Sequence, residues 1–416
     1  MSGGDGARLA RRWERRLLFG AHPVAFPLLA GIGNLGPAVR VPGVGVVVNS
    51  AALAREVLGD TGRFVKNGPG SSGALWTPVL GPSVLLNMEG DGHRRLRSKL
   101  AGLFTPASAA ALCDRVLAGL LDRLAADLER GGAVDLVRVT KAAAGAVIGE
   151  LIGFPAATER EYLELFAKGE EIVAMVKLRT RELSPSQVAR AKAVLDEVVA
   201  PAAEAYRRGG ASTVMGRMAG LGLSEAEALG AAAAFFLTGT ETVATTVPRL
   251  IAMLCDHGLD RRFAGEAGRR APLGPEAAEG DVGADVPGGS DGAALLDRWI
   301  DEAMRVMAPT PAMLRRCAVS GVVGPVRVRA GDRVLIATLT CTRGAGPFDP
   351  GGVRPDLRRL WFGAGPHYCL GAPLALAEIR ALASTVLAAG PLRIVRRRVA
   401  RGVLIPAYQS LEVCRA

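Results

Sequence analysis

The sequence predicts a mainly α-helical fold with small β-sheets, built as a single domain over residues 1–416. Stretches rich in Leu, Ala, Arg and Lys recur at helical spacing through the middle of the chain. Short Val-rich runs with alternating periodicity sit on both flanks. No internal repeat occurs, and no linker is long and polar enough to separate two independent domains. The β-rich parts are expected at approximately 38–50, 318–340 and 391–416, and the helical core at approximately 90–310 and 372–389.

Along the chain, residues 38–49 (AVRVPGVGVVVN) place a Pro-Gly turn signal between Val-rich runs and read as a hairpin. Ala51 to Leu58 suits a short helix. Residues 66–83 (KNGPGSSGALWTPVLGPS) hold so much Gly, Pro and Ser that a loop is expected, which puts Trp76, Val79 and Leu80 on a mobile segment. His93 to Leu128 is helical with a break at Phe104-Thr105-Pro106, and further helices are expected near 137–151, 157–178, 184–207, 224–255 and 294–307. The Gly-, Ala- and Asp-rich stretch at 280–292 reads as a surface excursion. Residues 322–339 alternate around Gly turns as a small sheet does, and 373–389 returns to a helical pattern.

Composition excludes several classes. Hydrophobic residues make up 49% of the chain and charged residues 22%, which suits a large buried core and not a disordered or fibrous protein. The N-terminal region has no apolar run approaching the ~20 residues that cross a bilayer. A cytoplasmic protein with no membrane anchor is expected. Fifty-one Lys and Arg against forty Asp and Glu give +11, but the arginines are scattered or in short runs, which argues against nucleic-acid binding and leaves an acidic protein partner open. The six cysteines include no CxxC pair, unlike a disulfide scaffold or a structural zinc site.

Cys369 differs from the other five in its neighbours. Residues 361–373 read W-F-G-A-G-P-H-Y-C-L-G-A-P. A thiolate that ligates iron needs its sulfur on a shielded loop with backbone N–H groups to temper its charge. Gly363, Gly365 and Gly371 permit that close backbone approach. A helix beginning just after the cysteine turns its positive end toward the sulfur.

This segment resembles the haem-binding loop of the cytochrome P450 family, Phe-x-x-Gly-x-x-x-Cys-x-Gly, matched by Phe362, Gly365, Cys369 and Gly371, with the Gly363 and His367 common in bacterial members. Three further matches follow the family's order. Glu302-Ala303-Met304-Arg305 resembles its Glu-x-x-Arg helix, with Arg305 placed 64 residues before Cys369. Thr238-Gly239-Thr240-Glu241-Thr242 resembles the oxygen-binding groove of its central helix, Thr238 replacing the commoner alanine. His93-Arg94-Arg95-Leu96-Arg97 resembles its His-x-x-x-Arg helix. The segment 341–353 keeps Arg343 and Phe348-Asp349-Pro350 but departs from the family's usual Asn-Arg-Asp-Pro.

The resemblance implies the family's triangular helical prism with a β-rich side region. It implies heme b (iron protoporphyrin IX) with Cys369 as the axial thiolate. His93, Arg97, His367 and Arg315 then contact the propionates, Arg316 being open for the last of these by a one-residue slip. Glu302, Arg305 and Arg343 are structural. Glu241 and Thr242 form the acid-threonine pair that relays protons to dioxygen, beside Thr238 and Gly239. Trp76, Leu80, Met175, Leu178, Phe235, Phe236, Met313, Val403 and Ile405 fall in segments resembling substrate-contacting regions, and a neutral lipophilic substrate is expected. The implied activity is a monooxygenase that hydroxylates or epoxidises a small lipophilic molecule, in natural-product biosynthesis. The fold also hosts oxidative coupling or ring closure without oxygen insertion, and a haem-based binding or sensor protein remains an alternative. The chain carries no fused flavin or iron-sulfur segment. The expected partners are therefore a separate ferredoxin and ferredoxin reductase, docking near Arg94, Arg95, Lys99, Arg358 and Arg359.

Overall fold

The computed structural model describes residues 3–155, 157–177, 180–211, 213–266, 291–352 and 354–416. Leu178 and nearly all of the expected excursion at 280–292 lie outside the described residues.

Local chemistry sets the main helix boundaries. Helix α6 (Pro106–Glu129) starts where Thr105 Oγ1 accepts from Ser108 N, with Pro106 in the first turn. Capping boxes at Thr158/Glu161, Ser184/Gln187 and Ser224/Glu227 open α8 (Glu159–Ala174), α9 (Pro185–Arg208) and α11 (Glu225–His257). Gly258, at φ +71°, ends α11 in the left-handed conformation that glycine adopts freely. At 33 residues α11 is the longest helix described. It packs against α7 (Leu136–Ile152), α8, α9, α13 (Asp291–Met307) and α15 (Ala372–Ala388). Its buried run from Val243 to Leu254 lies in the main core.

The β-structure forms separate units. The expected hairpin is β1 (Ala38–Val41) with β2 (Gly45–Val48), paired Ala38 to Val48. It extends through β8 (Arg333–Ile336), parallel to β2, then β5 (Met313–Cys317) and β3 (Phe64–Val65). A Cβ on Gly45 would lie 2.2 Å from the Arg333 carbonyl oxygen, so this close pairing requires glycine. The C-terminal strands β9 (Leu392–Val399) and β10 (Tyr408–Arg415) pair with β4 (Val134–Asp135), and β6 (Gly321–Val323) pairs with β7 (Val326–Val328).

The structure corrects the loop expected at 66–83. Ser72–Leu80 is a helix, α4, despite Pro78 within it, and Trp76 and Leu80 lie on it. Burial of Leu75 and Val79 against the main core outweighs the poor helix propensity of Gly, Ser and Pro there. Helices that the periodicity did not resolve are α1 (Gly3–Ala21), α2 (Ala25–Gly33), α10 (Val214–Gly220), α12 (Leu259–Glu266) and α14 (Thr338–Arg343). Sheet pairing therefore stops at Ile336, short of the expected boundary near 340. The remaining helices are α3 (Ala51–Gly59) and α5 (Gly90–Ala101). Among the described residues no single helix is long and apolar enough to cross a membrane.

Candidate active site

Two glycines shape the cysteine loop. Gly363 and Gly365 have φ of +87° and +66°. A Cβ on Gly365 would lie 2.7 Å from the Leu58 carbonyl oxygen, so the end of α3 packs directly on the loop. Cys369 N donates to Phe362 O at 2.9 Å, which closes the loop on itself. Helix α15 begins at Ala372, and the N–H groups of Gly371 and Ala372 donate to the Cys369 sulfur. Burial raises the thiol pKa, while those two donors and the cations of Arg97 and Lys66 oppose it by favouring thiolate. Cys369 is exposed, Cys255 half-buried and the other four cysteines buried. Cys113, Cys255, Cys317 and Cys341 have thiols pushed up by burial.

A charged cluster lies within electrostatic reach of this sulfur. Helix α5 carries His93, which is 3% exposed, and Arg97 one turn later. The His93 and His367 rings are 4.2 Å apart between centroids. His367 Nε2 and Glu89 Oε2 are 2.8 Å apart, and Glu89 also accepts from Lys66 N at 2.5 Å. Arg315 is 4% exposed and donates to the Leu314 carbonyl. Both residues pair in the β5 ladder, Arg315 with Val334 and Arg316 with Val65 and Arg333, so strand alternation turns their side chains to opposite faces, and Arg315 is the buried one.

Electrostatics show what the cluster lacks. Burial, Arg315 and Arg97 depress the Lys66 ammonium to about 7, against an opposing pull from Glu89 and Cys369. Burial also lowers Arg315 to about 10 and, with His367, Lys66 and Arg97, lowers His93 to about 4. Burial pushes Glu89 upward, but its hydrogen bonds from His367 and Lys66 N–H, with the Arg315 charge, hold it below the usual range. A single carboxylate, Glu89, thus faces Lys66 and Arg315, Arg97 adds a further positive charge beside Lys66, and the Arg315 Nε is buried with no hydrogen-bond partner. The missing counter-charge matches the two propionates of a haem, beside a thiol with its own helix N-terminus. The residues present fit the group.

His93→Ala with Arg97→Ala is expected to lower the haem-to-protein ratio in matched preparations and speed haem loss. The ligation spectrum of the surviving holoprotein should stay normal, because these side chains are expected to address propionates and not iron. Full occupancy with unchanged loss kinetics would remove the assignment.

Motif matching missed Lys66 and Glu89. Lys66 sits in a Gly- and Pro-rich stretch with no periodicity, and Glu89 only precedes α5 as its N-cap residue. Neither carries a local signal for a ligand.

The expected oxygen-groove residues lie in one turn of α11. Thr238 is exposed and donates to Ala234 O at 2.7 Å, while Glu241 and Thr242 are half-buried. Thr245 Oγ1 donates to Glu241 O at 2.7 Å. A Cβ on Gly239 would lie 2.2 Å from Ile148 Cδ1, so this glycine permits the close crossing of α7 over α11. Burial raises the Glu241 carboxyl to about 7, aided by the nearby Glu170 and opposed by Lys141. Glu170 and Lys141 form an ion pair at 2.8 and 2.9 Å. Glu241, Lys141 and Glu170 line one cavity of about 1440 Å³ with Val403 and Ile405.

The structure divides the expected substrate residues. Val403 and Ile405 line the cavity that Glu241 reaches, and Met175 lies between two of its lining residues, Ala174 and Val176. Trp76 and Leu80 are half-buried on α4, and the ring of Phe235 meets Phe104 edge-on at 5.0 Å. Met313 lies against Gly363 of the cysteine loop. Phe236 is 0% exposed within the main core, since adjacent residues on a helix point about 100° apart and only Phe235 shares the face of Thr238 and Thr242.

The structural trio holds the segment before the cysteine loop. Arg305 donates to Glu302 at 2.7 and 2.6 Å and to the carbonyls of Thr342, Gly346 and Pro347 at 2.9, 3.0 and 2.8 Å. Glu302 also accepts from Asp349 N at 2.8 Å. Arg343 donates to Val306 O and to Glu14 of α1. Of the expected docking cations, Arg359 pairs with Asp301 at 2.9 Å, Arg94 pairs with Asp91, and Lys99 donates to the Gly222 carbonyl. Arg95 and Arg358 stay exposed.

No family profile matches the chain. It is 30% identical over 408 residues to cytochrome P-450 monooxygenase DoxA of Streptomyces sp. (strain C5), covering 91% of this chain and 88% of that protein. It is 29% identical over 355 residues to mycinamicin IV hydroxylase/epoxidase of Micromonospora griseorubida, covering 80% and 79%. Among solved structures, a mutant of P450 EryK in complex with erythromycin B superimposes with a TM-score of 0.75 at 21% identity, covering 95% of this chain and 97% of that one. The hydroxylase HmtN of himastatin biosynthesis superimposes with a TM-score of 0.71 at 22% identity, covering 95% and 98%.

Proposed function

Since this chain belongs to the cytochrome P450 family and is a monooxygenase, as its relatives are, we propose that Cys369 is the axial thiolate of a heme b and that the protein hydroxylates or epoxidises a small lipophilic natural product. The observation that carries this reading is the Cys369 sulfur, capped by the N–H groups of Gly371 and Ala372 and set beside a cluster short of anionic charge. Haem, when bound, supplies the activation of dioxygen.

The chain's own residues position and protonate. Lys66, His93, Arg97, Arg315 and His367 would hold the propionates. Glu241, at about 7, exchanges protons near neutral pH, and the adjoining Thr242 hydroxyl passes them to the oxygen side. Lys141 and Glu170 line the same cavity as Glu241 and, after burial, shift its acidity in opposite directions. Val403 and Ile405 give that cavity its apolar lining, in keeping with a lipophilic substrate. Two electrons come from a separate ferredoxin and its reductase, for which Arg95 and Arg358 offer exposed charge.

The test begins with a panel of lipophilic compounds screened for spectral shifts, followed by turnover with a surrogate ferredoxin and reductase under labelled dioxygen. One labelled oxygen in the product is the expected result. Product without label points to oxidative coupling, and ligand binding without turnover points to a sensor. With a substrate in hand, Thr242→Ala is expected to divert electrons to peroxide and lower product per electron pair, with substrate affinity little changed. Glu241→Gln is expected to slow turnover and to remove an inflection near pH 7 from the rate profile, because the carboxyl that titrates there is gone. Unchanged coupling and rate in both variants would sink the relay.

A further inference from the structure

We propose that residues 17–39 form an interfacial patch that seats the protein on an anionic bilayer surface. Between Arg16 and Arg40 the chain carries no Asp, Glu, Lys or Arg, and its polar side chains are only His22 and Asn34. Phe19, Val24, Leu28 and Leu35 are 51%, 62%, 54% and 71% exposed. They are half of the exposed large hydrophobic residues among those described. Isolated exposed apolar residues are ordinary, but this concentration in one uncharged segment is not.

Helix geometry puts three of the four on one face. Val24, Leu28, Gly31 and Leu35 follow spacings of four, three and four, the outer stripe of α2 and its C-terminal turn. The opposite face is already used. Phe26 packs with Ala308 and Leu339, and Ile32 packs with Val47 and Ala337. The outward stripe is therefore left over after the fold has been satisfied.

The flanking charge identifies the partner. Arg11, Arg12, Arg15 and Arg16 are exposed on α1, whose other face is held by Leu17 in the core and by Glu14 paired with Arg249. A Cβ on Gly20 would lie 2.3 Å from Val399, and Gly402 N donates to Gly20 O. This contact brings exposed Arg398 and Arg401 to the same edge. None of these six arginines has a carboxylate within 4.0 Å among the described residues. Apolar side chains flanked in the chain by cations without carboxylate partners match acyl chains beneath anionic headgroups. A protein partner fits less well, because the stripe offers few hydrogen-bonding side chains to set a register. Phe19 and Pro23 also line the cavity that Glu241 reaches, so the bilayer lies at its rim. Uptake of a lipophilic substrate from lipid follows only if the function proposed above holds; the contact itself does not depend on it.

The test uses the full-length holoprotein and sedimentation with phosphatidylcholine vesicles, with and without phosphatidylglycerol. Binding is expected on the anionic vesicles and to be weak on the neutral ones. Val24→Asp with Leu28→Asp should weaken it roughly tenfold, as should Arg11→Ala with Arg15→Ala, with the reduced carbon-monoxide spectrum unchanged in both. Binding that survives Val24→Asp with Leu28→Asp would show unspecific adsorption of a basic protein and overturn the proposal. So would an absence of vesicle binding, and a patch-dependent dimer or a patch-dependent complex with an acidic protein in its place would identify the true occupant.

Discussion

Arg305→Ala is expected to destabilise the protein by about 3–5 kcal/mol, the usual cost of breaking a buried ion pair by removing one partner. The guanidinium is 1% exposed and its Glu302 partner 3%. Its loss strands a buried carboxylate and frees the carbonyls of Thr342, Gly346 and Pro347 at once. Arg305→Lys should recover only part of the stability, because an ammonium cannot reproduce the bidentate fork together with three carbonyl contacts. The denaturation midpoint measures the effect. Haem retention should fall with it, because the freed segment leads into the cysteine loop. A midpoint within about 0.5 kcal/mol of the native one, the range of ordinary surface changes, would show that the network is dispensable.

Cys369→Ser has the largest expected effect on activity, namely loss of product above the level of the protein-free reaction. The fold should survive. The loop is closed by the Cys369 N–H to Phe362 O bond, which needs no side chain, and by Gly365 against the end of α3. Serine is nearly the same size but its alcohol does not ionise at neutral pH, so the donors at Gly371 and Ala372 lose the charge they face. Substrate-dependent product at native levels in the serine variant would place the chemistry elsewhere.

Legibility in the sequence followed the range of the interactions. The cysteine loop was readable because its cysteine, its glycines and the start of the helix behind it lie within thirteen residues, 361–373. Glu302 and Arg305 were readable as a pair one helical turn apart, but their targets at Thr342, Gly346 and Pro347 were not, because backbone carbonyls have no sequence signature. The His93 and His367 rings meet at a tilt although they are distant in the chain, and only the motif matches connected them. Lys66 and Glu89 share their cluster and escaped notice, since burial and neighbouring charges give them their character. Helix α4 was hidden by its Gly, Ser and Pro, which tertiary burial of Leu75 and Val79 outweighs. Gly239 drew attention as a costly residue in a helix, and the structure supplies a packing reason in Ile148.

The proposed oxygen chemistry depends on Cys369 supplying the sulfur ligand. The most direct measurement is the spectrum of the reduced, carbon-monoxide-bound protein, recorded for the native chain and for Cys369→Ser at known haem-to-protein ratio. The native protein should show the strongly red-shifted Soret band of a thiolate-ligated haem, and the serine variant should lose that band while still containing haem. A native protein that binds haem without the red shift, or a serine variant that keeps it, would contradict Cys369 as the axial ligand.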